Sequence, residues 1–150
     1  MEQSFPGILI LVFPVFFVSI FVGVIFLISQ FGWARLASSY RNDSPFEGKR
    51  IGIITARINR VNYKNCLSLK CNEEGLYMRP ILFFRLFHPP VLIPWKDIVD
   101  VKEKKILFFT TKKLTVGEPS VASIEISRFT YSQLEPYYLN ASANQKSRYN

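Results

Sequence analysis

The sequence predicts a mainly-β domain attached to one N-terminal transmembrane helix. The domain is a sandwich or barrel of about seven or eight short strands, closed by a C-terminal helix. Three observations predict it. Gly7 to Ser29 is an apolar run without Asp, Glu, Lys, Arg, His, Asn or Gln. From Lys49 to Ile126, short β-branched or alternating runs are punctuated by turn residues at even spacing. From Ser127 to Leu139 the pattern turns helical, with capping-box spacing between Ser132 and Glu135.

As a helix, the apolar run is ~35 Å long at ~1.5 Å per residue, enough for a hydrocarbon core of ~30 Å. Two other readings compete. A buried core helix would need more chain around it than remains. A cleaved signal peptide wants a basic start and a small-residue exit, whereas this chain starts Met1-Glu2-Gln3 and leaves the run through Gln30-Phe31-Gly32-Trp33. Pro14 is expected to kink the span, which a membrane helix tolerates. Residues 1–6 form a short flank and 7–29 the span. Trp33, Leu36, Ala37 and Tyr40 then recur at helical spacing, with Arg35 and Arg41 off the stripe. Residues 30–41 are therefore expected to carry the helix into the headgroup layer, with Trp33, Arg35, Tyr40 and Arg41 at the membrane interface. Residues 42–48 read as a linker.

All 19 Lys and Arg lie at or beyond Arg35, and Glu2 is the one charge before the span. The positive-inside rule makes this a single-pass membrane protein with a cytoplasmic C-terminal domain. Cys66 and Cys71 fit that side as free thiols.

Strands are expected over Arg50–Ile58, Cys66–Cys71, Leu76–Phe87, Val91–Ile93, Ile98–Lys102, Ile106–Thr111, Leu114–Val116 and Val121–Ile126. The odd spacing of Cys66 and Cys71 places them on opposite faces. With a helix start at Ser132, Pro136 falls in the first turn, where it is tolerable; Ser127 is the alternative start. The domain then covers 49–139, and 140–150 is a disordered polar tail.

Several of these segments also resemble a known family. They are Glu74-Gly75-Leu76-Tyr77, His88-Pro89-Pro90-Val91-Leu92-Ile93-Pro94-Trp95-Lys96-Asp97-Ile98, the Gly32-Trp33 to Tyr40 stretch and Tyr63 to Leu67. Together they are similar to small bacterial membrane proteins with one N-terminal span and a pleckstrin-homology-like domain of the bacterial PH or GRAM type. The resemblance covers most of residues 30–110. It implies a PH-like fold and a place in a bacterial inner membrane. In that fold a phosphoinositide site uses a basic residue near the end of the first strand and a Lys/Arg-x-Arg on the second. Arg57, Arg60 and Lys64 supply charge near the first hairpin, but the second strand offers only Lys70. The missing Lys/Arg-x-Arg departs from the family's pattern and speaks against specific inositol-phosphate recognition.

The residues point away from catalysis. One histidine, His88, sits in a Phe-His-Pro-Pro turn. No Gly-rich phosphate loop or Ser-His-Asp arrangement can be assembled, and no cofactor or metal is expected. From Arg35 onward the chain carries +9, which suits anionic lipid. Nucleic acid is not expected, because no nucleic-acid motif accompanies the charge. If Leu76–Phe87 is one strand, a face of Tyr77, Arg79, Ile81, Phe83, Arg85 and Phe87 backs the apolar one. Arg79, Ile81, Phe83, Arg85 and Phe87 are then a candidate partner surface, unless the domain covers them. The expected function is a non-enzymatic, membrane-tethered binding or scaffold module for an unidentified protein partner or membrane complex. The alternative is a sensor of anionic headgroups through Arg57, Arg60 and Lys64.

Overall fold

The computed structural model describes residues 5–148. Of the expected flank at 1–6, only Phe5 and Pro6 are among the described residues, and they already belong to the first helix. Helix α1 (Phe5–Ile28), a π-helical turn (Ser29–Trp33) and helix α2 (Ala34–Tyr40) follow one another without a break. Among the described residues, this is the one helical segment long and apolar enough to cross a membrane. Every residue from Gly7 to Phe21 is exposed. Burial starts at Ile25 and continues at helical spacing through Ser29, Trp33, Leu36 and Ala37.

Seven strands form one antiparallel sheet: β1 (Lys49–Ile58), β2 (Val61–Cys71), β3 (Gly75–Pro80), β4 (Val91–Pro94), β5 (Ile98–Ile106), β6 (Phe109–Val116) and β7 (Ala122–Ser127). Their order is β4-β3-β2-β1-β7-β6-β5, curled into a half-barrel. β1 is the hinge of the curl. It pairs with β2 along its length and with β7 through Ala56–Ile58. Two register shifts against β2 raise its local twist. The inward side chains form one core that includes Ile58, Leu67, Leu69, Met78, Ile93, Leu114 and Ile124.

Helix α3 (Arg128–Arg148) covers the cup. Its N-cap is Ser127, whose Oγ accepts the Thr130 amide at 3.1 Å. Tyr131 and Leu134 are buried, and Tyr137, Tyr138 and Ala141 pack on the core at helical spacing. The mainly-β architecture with one apolar N-terminal helix and a closing C-terminal helix is therefore as expected.

Four details differ. The strand expected over Leu76–Phe87 ends at Pro80, which has no amide for the next rung; the Ile81 amide donates to Cys66 O at 2.8 Å, and Leu82–Phe84 then turns as a 3-10 helix. Ile106–Thr111 is the tip of the β5–β6 hairpin and not a strand of its own, with Leu107 left-handed at φ 53°. The closing helix takes the alternative start, with Ser127 as its cap and not Ser132, so Pro136 lies in its interior, exposed to solvent. Residues 140–148 of the expected 140–150 tail are helical and not disordered, because Ala141 extends the packed stripe of α3; 149–150 lie outside the described residues.

Candidate functional site

The end of the half-barrel that receives α1 is built from three connections: the β1–β2 turn at Asn59-Arg60, the β3–β4 loop over residues 81–90, and the β6–β7 turn after Val116. Gly32 lies against the β1–β2 hairpin. A Cβ there would come within 2.9 Å of both Tyr63 Oη and Val61 Cβ, and the Gly32 carbonyl accepts Asn59 Nδ2 at 3.1 Å. The π-turn thus presents a bare backbone to the sheet.

Trp33 corrects the interfacial reading. It is 0 % exposed, packs edge-on to Tyr63 at 5.8 Å, and donates its indole N–H to Pro89 O at 2.8 Å. Tyr40 also belongs to the domain: it packs on the core, and burial, with the Asp97 carboxylate nearby, raises the pKa of its phenol. The stripe Trp33, Leu36, Ala37 and Tyr40 is a core face, filling the cup from its open side. Arg35 is exposed, and exposed Arg41 pairs with Asp43 at 2.6 Å.

His88 is buried beside this joint. Its Nδ1 lies 3.0 Å from Leu86 O and its Nε2 3.3 Å from Tyr63 Oη. Burial pushes the His88 imidazole below its ordinary value, partly opposed by the Leu86 carbonyl, and raises the Tyr63 phenol. His88 locks the β3–β4 loop. Cys66 and Cys71 are both buried free thiols, with pKa raised first by burial. The predicted opposition of their faces does not expose either one.

The structure separates the three basic residues of the first hairpin. Arg57 lies on the outer face of β1, opposite Glu125, and Lys64 is exposed on β2. Arg60 instead meets Arg35 and Lys113 around a cleft of about 620 Å³ beside Phe31. Among the described residues no carboxylate lines this cleft, although Glu125 is the cross-strand partner of Lys113, and Asn59 and Ser123 supply further polar lining. Lys113 had no sequence signal. It reaches the cleft because β6 pairs with β7, and β7 with β1, which brings Lys113 to within two strands of Arg57. A second groove of about 670 Å³ holds Arg50, Lys70, Arg79 and Arg85, with Asp43 at its rim. There Lys70 Nζ is engaged by Phe46 O at 3.3 Å.

The expected partner surface does not exist as one strand face. Arg79, Phe83, Arg85 and Phe87 are exposed, whereas Ile81 packs on the core. Because the chain turns after Ile81, Leu82 and Leu86 are exposed too, and Phe83 is uncovered at 72 %.

No protein-family model, curated protein or solved structure matches this chain. The Glu74-to-Tyr77 and His88-to-Ile98 segments have structural tasks here. Gly75 faces the Ile93 carbonyl with no room for a side chain, Leu76 and Tyr77 pair with Ile93 and Leu92, and Trp95 donates its indole N–H to Asn72 O at 2.8 Å.

Proposed function

We propose that the chain is a membrane-anchored, non-enzymatic binding module. In this reading α1 crosses the bilayer, the half-barrel stands on its cytoplasmic face, and the Arg35–Arg60–Lys113 cleft takes the phosphate of an anionic lipid headgroup. The observation that carries the reading is the position of that cleft. A ~20-residue hydrocarbon crossing that starts at Gly7 ends at Phe26. Five residues on, at ~1.5 Å per residue, Phe31 is ~7 Å beyond it, in the headgroup layer. Three cations without a carboxylate converge beside it. Each is worth ~1 kcal/mol near an anionic surface, together ~3 kcal/mol or on the order of a hundredfold in affinity. Retention of α1 is supported by the buried stripe, which passes from Ile25 to Ala37. Cleavage after the span would cut a helix that fills the core.

The test uses the full chain, extracted in mild detergent, with its bound phospholipid quantified. Wild type is expected to retain anionic over zwitterionic lipid, and Arg60→Gln with Lys113→Gln to lose that preference. Identical lipid profiles would sink the cleft assignment. Orientation is tested with Ser147→Cys and an impermeant thiol reagent, where labelling of intact cells would reverse the topology.

A second reading, a protein partner, is favoured by the β5–β6 tip. Leu107 and Phe108 are 90 % and 96 % exposed there, at the end of the sheet opposite the β1–β2 turn. A protein that co-purifies with wild type and is lost from Phe108→Ser would support it. A co-purifying protein indifferent to that change would count against the tip.

A further inference from the structure

We infer that the β3–β4 loop is a second membrane element, dipping Leu82, Phe83, Leu86 and Phe87 into the leaflet from which α1 emerges. The inference rests on the reading that α1 spans the bilayer.

The loop touches the span itself. Phe87 packs edge-on to Phe26 of α1, with ring centroids 5.2 Å apart, and its carbonyl accepts the Ser29 hydroxyl at 2.6 Å. Phe26 marks the last turn that a ~20-residue crossing from Gly7 can place in hydrocarbon. Phe87 is therefore at the depth of the hydrocarbon boundary. Leu82 and Phe83 are 68 % and 72 % exposed, and Leu86 is half exposed. Four large apolar side chains are uncovered within six residues, and one of them, Phe87, joins the exposed α1 surface; lipid is the medium that meets both.

The loop is also built to hold that pose. The Ile81 amide closes the last rung on Cys66 O, the Arg85 amide donates to Leu82 O at 3.4 Å, and the His88 amide donates to Arg85 O at 3.1 Å. Beneath it, His88 and Trp33 fix Leu86 O and Pro89 O. Phe87 takes a left-handed backbone, φ 64°, a conformation unusual for an aromatic residue, which turns the ring towards α1. Arg85, exposed between the two apolar pairs, turns its Nε–H back onto Pro80 O at 3.4 Å, which ties the loop to the end of β3.

The pose has a mechanical consequence. A single helix leaves a domain free to swivel about the membrane normal and to tilt. A second contact, on a loop locked to Trp33 and His88, fixes tilt and holds the Arg35–Arg60–Lys113 cleft at one height.

The test is depth-dependent fluorescence quenching on the full chain in phosphatidylcholine vesicles. An environment-sensitive dye is attached at Phe83→Cys, Leu86→Cys, Phe16→Cys in mid-α1, or Glu73→Cys in the exposed β2–β3 turn. The native thiols are buried and leave the label to the new site. Shallow nitroxide lipids are expected to quench positions 83 and 86 several-fold more than position 73. Deep nitroxides should quench position 16 most. If position 16 is quenched but 83 and 86 behave like 73, the anchor stands and the loop inference is overturned. An unquenched position 16 would remove both. Shielding of 83 and 86 from water without lipid quenching would assign the loop to a protein contact, which also overturns it.

Discussion

A fragment beginning at Asn42, after α1, the π-turn and α2, should fail to fold, whereas one beginning at Ser29 should fold. Trp33 and Leu36 are fully buried and Ala37 nearly so, all within the single core cluster. Emptying a Trp site costs ~3–5 kcal/mol and a Leu site ~2–5. Pro89 O also loses its indole donor, at a further ~1–3 if it stays dry. The total, roughly 6–13 kcal/mol, matches the whole stability of a typical domain, ~5–15. Thermal melts followed by circular dichroism make the comparison direct. At ~4 °C per kcal/mol for a domain of this size, a surviving Asn42 fragment should melt ~20 °C or more below the Ser29 fragment. The more expected outcome is no cooperative transition. If both fragments melt within a few degrees of each other, α2 is not part of the core, and the reasoning that joins span to domain fails.

Gly32→Val should cost ~1–3 kcal/mol by overpacking, since a Cβ already meets Val61 Cβ and Tyr63 Oη at 2.9 Å; denaturant midpoints of the full chain in detergent would show it. Phe83→Ser should leave the midpoint nearly unchanged because the ring is exposed, while Phe84→Ser, whose ring packs on the core, should lower it measurably; equal shifts would mean that the loop is covered. Burial depresses the His88 pKa below its ordinary 6.5, so the unfolded chain binds this proton more readily than the folded one. Its contribution is complete above pH 6.5 and is lost as pH falls towards the folded value. The melting temperature should therefore drop between about pH 7.5 and about pH 5.5, and His88→Gln should flatten that slope.

The apolar run, the strand count and the closing helix were readable because each is a local pattern. Composition sets the span, alternation sets Cys66 to Cys71, and the spacing of Leu134, Tyr137 and Tyr138 sets the inner face of α3. The cleft was only half readable. Arg60 and Arg35 stood out as basic residues near a turn and a membrane end, but they were assigned to different tasks. Lys113 comes from a strand more than fifty residues away and meets them only through the β1–β7–β6 pairing. Pro80 cannot donate to a ladder, yet the apolar run beyond it keeps the look of a strand.

By itself, the sequence determined that this protein has one helix fit for a bilayer, a basic β domain after it and a C-terminal helical face. Those follow from transfer free energy and from the two backbone periodicities, which are properties of neighbouring residues. The tertiary structure decided what the helical stripe at Trp33 touches. A Trp with a free indole N–H suits a headgroup layer and a protein core equally, and the choice fell to a carbonyl at Pro89, fifty-six positions on. It also decided that the loop after Pro80 turns back to Phe26. An exposed Phe and a strand-buried Phe read alike until the chain shows which neighbour reaches them first.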